Sequence, residues 1–136
     1  MIVQSYLFFE GRCEEALEFY KKALGAEVTA MMRYSDSPDP ESCAPGMENK
    51  IMHANFSVGE TQLMASDGMC NGSPKFAGVS LSITAKDATE AERLFAALSA
   101  GGQVQLAMHE TFFAERFGMA ADKFGVPWMV IAGKGE

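Results

Sequence analysis

One order of elements occurs twice in this 136-residue chain, and a repeated β-α-β-β-β order leaves few ways to build a core. Residues 2–9 (IVQSYLFF) form a β-rich run. After Glu10-Gly11, the apolar Cys13, Ala16, Leu17, Tyr20 and Leu24 fall at i, i+3, i+4, i+7 and i+11, the stripe of an amphipathic helix. Gly25 supplies a left-handed stop. Residues 27–34, 50–58 and 61–66 then read as three strands, with a three-proline loop at 35–49 and a turn at Gly59-Glu60.

The second half repeats this order. Residues 78–84 alternate like a strand, Asp87 and Glu90 give a D-x-x-E start signal, and Ala91, Leu94, Phe95 and Leu98 make one helical face ended by Gly101-Gly102. Strands are expected at 103–108, 115–121 and 127–132, the last after a turn at Lys123-Phe124-Gly125. The halves share little sequence identity, and each alone would leave one sheet face bare. The expectation is a single α+β domain over 1–136, with modules 1–67 and 78–133 and a connector at 68–77. The two βαβββ modules would form one curved mixed sheet, with helices on one face and a cleft on the other, where a small molecule would bind.

Eleven lysines and arginines stand against eighteen acidic residues, a formal charge of −7, which disfavours nucleic acid and anionic membrane as partners. No apolar run reaches the roughly 18 residues of a membrane helix. Met1 to Glu10 lacks the basic start and apolar core of a signal peptide, so a cytoplasmic protein is expected. Cys13, Cys43 and Cys70 form no CxxC pair and read as reduced thiols. Cys13 lies in the first turn of helix one but also on its apolar stripe, which favours a buried small hydrophobe. Ten methionines suit irregular core gaps or an adaptable pocket.

The segments DKFGVPWMV (122–130), ETFFAERFG (110–118), CAPGM (43–47) and MHANFSV (52–58), set on two βαβββ modules, resemble the PhnB-like branch of the vicinal oxygen chelate superfamily. That superfamily includes glyoxalases, bleomycin resistance proteins and extradiol dioxygenases, and this branch is often catalogued as demethylubiquinone methyltransferase-like. The resemblance implies the glyoxalase-like fold and a homodimer. Metal-using relatives place one ligand on the first and last strand of each module. Aligning Phe19-Tyr20 with the family's equivalent pair puts Ser5, Met64, Gly78 and Met129 at those positions. A serine hydroxyl is a poor neutral ligand, glycine has no side chain, and thioether sulfur is too soft for the ions of glyoxalase chemistry. No metal or other cofactor is therefore expected.

Strand alternation selects the cleft-facing residues. With Met52, Ala54, Phe56 and Val58 in the core, His53, Asn55 and Ser57 point to the cleft, joined by Gln62, Met64 and Ser66. With Val79, Leu81 and Ile83 against the helices, Gly78, Ser80 and Ser82 do likewise. His53 could act as a general base with Asn55 or Ser80 stabilising an enolate-like oxygen, or simply be held by Asn55 or nearby backbone. Glu110 and Arg116 could pair at the cavity mouth, with the guanidinium clamping an anionic ligand, or form an ordinary surface ion pair. Phe112 and Phe113 are lid or interface candidates. Trp128 belongs to the core, opposite Met129, and His109 reads as a solvated loop residue.

No GxGxxG turn exists, which speaks against methyl transfer from a nucleotide-type cofactor. The expected function is metal-free binding of an unidentified small, partly polar organic molecule, with Ser5, His53, Asn55, Gln62, Met64, Ser80, Glu110, Phe112, Arg116 and Met129 as contact residues. One alternative is a metal-independent isomerase or lyase-type enzyme with His53 as base. Another is a glyoxalase- or dioxygenase-like metal enzyme whose ligands lie outside the inherited positions, for instance a histidine with Glu110 or Asp67.

Overall fold

The computed structural model describes residues 1–38, 45–70 and 73–134. The elements run β1 (Tyr6–Phe8), α1 (Cys13–Leu24), β2 (Glu27–Arg33), β3 (Ile51–Val58), β4 (Thr61–Ser66), β5 (Leu81–Ala85), α2 (Ala88–Ser99), β6 (Gln103–His109), β7 (Ala114–Ala121) and β8 (Pro127–Gly133). A single 3-10 turn at Tyr34–Asp36 follows β2. The chain divides into two compact units, Met1–Pro74 and Lys75–Glu136, and each holds one βαβββ module. Strand order is β1-β4-β3-β2 in the first and β5-β8-β7-β6 in the second, with β1 parallel to β4, β5 parallel to β8, and the other ladders antiparallel. Among the described residues no helix is long and apolar enough to cross a membrane.

In the first unit, Cys13, Ala16, Leu17 and Tyr20 of the predicted α1 stripe are buried, with Ala23 rather than the half-buried Leu24 at its end, and Tyr20 fixes the packing. The Tyr20 ring lies parallel to Phe56 at 6.0 Å and tilted against Phe9 at 6.1 Å. Leu7, Phe9, Ala54, Phe56, Leu63 and Ala65 form the sheet's apolar face beneath it. Glu14 and Glu15 at the start of α1, and Lys21 and Lys22 at its end, match the helix dipole, and Gly25 at φ +67° returns its N–H to the Lys21 carbonyl.

No side chain of the Arg12 cap serves the start of α1. The carboxylate of Asp67, which follows β4 and is 1% exposed, does so from 54 residues away. Its Oδ1 accepts the N–H groups of Gly11 (3.0 Å) and Cys13 (2.7 Å), and its Oδ2 accepts that of Ile51 (2.6 Å). The helix start, β3 and β4 are thereby joined at one buried charge.

The second unit packs Ala91, Leu94, Phe95 and Leu98 of α2 on Ala120, Trp128, Val130 and Ala132. Gly118 leaves room for the helix: a Cβ there would lie 2.9 Å from Phe95 Cε2 and 2.5 Å from Met108 Sδ. Helix α2 carries its own cap, since the Asp87 side chain accepts the Glu90 N–H at 2.8 Å. In the β7–β8 turn, buried Asp122 accepts the N–H groups of Phe124 and Val126 and the indole N–H of Trp128.

Three expected details differ. The 2–9 run pairs only over Tyr6–Phe8, because the parallel ladder with β4 ends there and Met1, Ile2 and Val3 stand in solvent. Strict alternation fails in β3, where the register shift between Met32 and Arg33 of β2 buries Ile51 and leaves Met52 half-buried. Val79 is 62% exposed, since β5 begins only at Leu81, opposite Trp128. Cys43, in the 35–49 loop, lies outside the described residues.

Candidate functional site

The face of the first sheet that turns away from α1 is built by register. Across the ladders Tyr6 faces Met64, Phe8 faces Ser66, Asn55 faces Met64, Ser57 faces Gln62 and Met32 faces His53, so all of these share one side. Alternation puts them there because Leu7, Ala54, Phe56, Leu63 and Ala65 occupy the other side.

A hydrogen-bonded chain runs across this face. The Tyr6 hydroxyl lies 2.8 Å from His53 Nδ1, and His53 Nε2 lies 2.9 Å from Asn55 Oδ1. An amide oxygen can only accept, so with Asn55 in this orientation Nε2 carries the proton and donates to it, while the Tyr6 hydroxyl, which can donate or accept, engages Nδ1. Both nitrogens of the imidazole are thereby engaged. Burial pushes the Tyr6 phenol above its ordinary pKa, against the opposing effect of a hydrogen bond with Ser66, and the proton stays on the phenol. Beside the chain, Gln62 Nε2 donates to Thr29 Oγ1 at 3.4 Å, and Thr29 Oγ1 donates to the Asn55 carbonyl at 3.3 Å.

His53, Asn55, Gln62 and Met64 are thus brought together within one unit. Ser5 is not among them: it precedes β1, its carbonyl accepts the Met64 N–H, and it shares the parity of Leu7 and Phe9. The residue facing Met64 is Tyr6, one position on. Sequence reasoning missed Tyr6 because Tyr6, Leu7, Phe8 and Phe9 are all apolar or aromatic, and alternation carries no signal in such a run.

In the second unit Met129 faces Ser82 on β5 and Met119 on β7. Ser80, just before β5, has a buried hydroxyl oxygen without a hydrogen-bond partner among the described residues. The expected Glu110–Arg116 pair does not form. Arg116 stands opposite Ala132 on the α2 side of the sheet, where its Nε meets Glu92 of the helix at 3.0 Å, and Glu110 lies 3.8 Å from Lys134. Arg116 therefore cannot clamp a ligand on the opposite face. Phe112 is 92% exposed, edge-on to Phe113, which in turn packs edge-on to Phe117. His109 ends β6 with Nδ1 at 2.9 Å from the Ala107 carbonyl.

The divalent ion implied by the vicinal oxygen chelate resemblance does not fit these residues. The strand pairs at the corresponding positions are Tyr6 with Met64 and Ser82 with Met129, a set of neutral hydroxyls and soft thioethers, and the Tyr6 hydroxyl is already engaged by His53. Asp67, buried just past β4, spends both oxygens on backbone N–H groups. Among the described residues no group of three or more histidines, cysteines or acids is placed to hold a metal. Burial, followed by the negative charge of Asp67, drives the Cys13 thiol far above its usual pKa, so it is a core residue and no nucleophile.

Comparison with known proteins agrees with this architecture. The family model described as 3-demethylubiquinone-9 3-methyltransferase matches residues 2–131. Protein YjdN of Escherichia coli is 36% identical over 96% of this chain and 94% of its own. Among solved structures, PA1353 of Pseudomonas aeruginosa superposes with a TM-score of 0.85 at 40% identity, covering 99% of both chains. The PhnB protein of Bacillus cereus gives 0.81 at 27% identity, covering 98% of this chain and all of that one. The fold is also that of glyoxalase/bleomycin resistance/dioxygenase domains. With its sequence matched almost from end to end and both modules wired as that fold requires, the chain belongs to the 3-demethylubiquinone-9 3-methyltransferase-like, or PhnB-like, family of vicinal oxygen chelate proteins.

Proposed function

We propose that this protein binds a small, partly polar organic molecule on the open face of the β1–β4 sheet and does so without a metal ion. The observation that carries the reading is the Tyr6–His53–Asn55 chain beside Met64: fixed hydrogen-bonding groups next to apolar surface. Binding is favoured over proton transfer because both ring nitrogens of His53 are already engaged, by the Tyr6 hydroxyl and the Asn55 side-chain oxygen.

Methyl transfer, which the family's description names, finds no support in the helix starts. Asp67 takes the Cys13 N–H at the start of α1 and Asp87 the Glu90 N–H of α2, so each helix start already faces a carboxylate where an anionic group of a nucleotide cofactor would sit. The protein is read as a homodimer with reduced thiols in the cytoplasm.

Native mass spectrometry of purified, tag-free protein prepared without chelator tests the metal-free binding and the dimer. The expected spectrum is a dimer carrying an organic adduct and no stoichiometric metal, with the adduct lost in His53→Ala. A metal that survives dialysis, or an adduct retained equally by His53→Ala, refutes the reading. If His53→Ala keeps its affinity but ceases to convert the bound molecule, the protein is an enzyme with His53 as base.

A further inference from the structure

The same face carries a feature that the hydrogen-bonded chain does not require. Tyr6 and Phe8, two residues apart on β1, stand on one side with ring centroids 4.9 Å apart and planes within 20° of parallel. Tyr6 is 37% and Phe8 50% exposed. Phenylalanine has no polar atom to gain from water, so half a ring in solvent is apolar surface left open. The pair is held in place from its sides. His53 flanks Tyr6, its ring 5.4 Å away and tilted by 52°. At the other end lies the backbone of Gly68, where a Cβ would come within 3.2 Å of Phe8 Cδ1 and collide with the Glu10 carboxylate.

Beside this shelf the Asn55 oxygen is committed to His53, which leaves the Asn55 amide N–H groups without a partner among the described residues. They are donors open to solvent, and a ligand's acceptor can take the place of water on them. Charge narrows the occupant further. Tyr6, Phe8, Asn55 and Met64 carry none, Glu10 stands at one end of the face and Glu27, opposite Ser57, at the other, and the whole chain is at −7. A carboxylate or phosphate would be repelled. Two rings bounded by polar groups also fall far short of the roughly 800 Å² per partner that a stable protein interface buries.

We infer that this face takes an uncharged planar aromatic molecule, its ring against the Tyr6–Phe8 shelf and a carbonyl or amide oxygen accepting from Asn55. The inference rests on the proposed binding reading and names the class of ligand for it.

Three soluble probes separate the terms: benzamide, its ring-saturated analogue cyclohexanecarboxamide, and benzoate, each titrated into 15N-labelled full-length protein and followed by amide chemical shifts. Benzamide should shift the amides of β1, β3 and β4 and bind about two- to tenfold more tightly than cyclohexanecarboxamide, the range expected of aromatic pairing. Benzoate should bind most weakly. Phe8→Leu, which keeps an apolar side chain at a half-exposed position, should abolish the preference between the two carboxamides. Equal affinity for both carboxamides in the wild-type protein overturns the aromatic class while leaving the binding face intact, and tighter binding of benzoate overturns the charge argument. No shift in these strands with any probe overturns the inference altogether, and the adduct seen by mass spectrometry then judges the broader reading by itself.

Discussion

Removing the Asp67 carboxylate should loosen the first unit more than any other single polar change. Its two oxygens accept three backbone N–H groups at 2.6 to 3.0 Å, and the side chain is 1% exposed, so water does not stand ready to replace it. Each buried donor left unpaired costs about 1–3 kcal/mol. In Asp67→Ala three donors are orphaned at once, and with partial entry of water into the space vacated the loss is set at about 4 kcal/mol. That is a large part of the roughly 5–15 kcal/mol by which a domain is stable.

Asp67→Asn separates geometry from charge. Its oxygen can keep the Gly11 and Cys13 bonds, but its amide then faces the Ile51 N–H, donor against donor, for a loss of about 2 kcal/mol. Urea unfolding followed by far-UV circular dichroism is the assay, because the sole tryptophan, Trp128, sits in the second unit and reports on the wrong half. The midpoints should fall in the order Asp67, Asn, Ala. A midpoint for Asp67→Ala that implies less than about 1 kcal/mol of loss, smaller than even one orphaned donor, would refute the account.

Two further outcomes follow from packing and burial. Gly102→Ala should lower stability by about 1–3 kcal/mol, because its Cβ would meet the Ala121 carbonyl and stand 2.7 Å from the Asp122 carbonyl carbon, backbone that cannot move aside; an unchanged thermal midpoint would contradict this. Cys13 should resist iodoacetamide in the native protein and react in urea, as read by peptide mass mapping. Its thiol titrates higher in the folded chain than in the unfolded one, so its contribution to stability is complete below the unfolded value of about 8.5 and is lost as pH rises towards the folded one. Native labelling of Cys13 at neutral pH would show that the helix start opens.

The order of strands and helices was legible because each has its own period: the 3.6-residue stripes at Cys13 to Leu24 and Ala91 to Leu98, and alternation around Ala54 and Phe56. His53 and Asn55 were legible for the same reason, since apolar neighbours in β3 force polar ones to the other face. Tyr6 and Phe8 were not, because β1 is apolar on both sides and only its pairing with Met64 and Ser66 fixes the phase. Arg116 was misplaced because a charged strand residue is expected to point away from a helix. Glu92 gives it an ion partner at the helix rim, where its long side chain can cover apolar surface and still reach water. Asp67 and Asp122 look like ordinary turn residues in the sequence, and their burial depends on donors that only the folded chain assembles.

The two helix starts also differ in when they can exist. Asp87 reaches the Glu90 N–H within a single turn, so α2 can be capped as soon as a few residues take helical shape. The cap of α1 arrives from Asp67, across a loop that must first be closed at an entropic cost growing with the logarithm of its length. During synthesis α1 therefore emerges long before its cap does, and its first turn is completed only when β4 is in place. Two halves wired alike enter the folding reaction on unequal terms: one helix begins locally, and the other waits for its sheet.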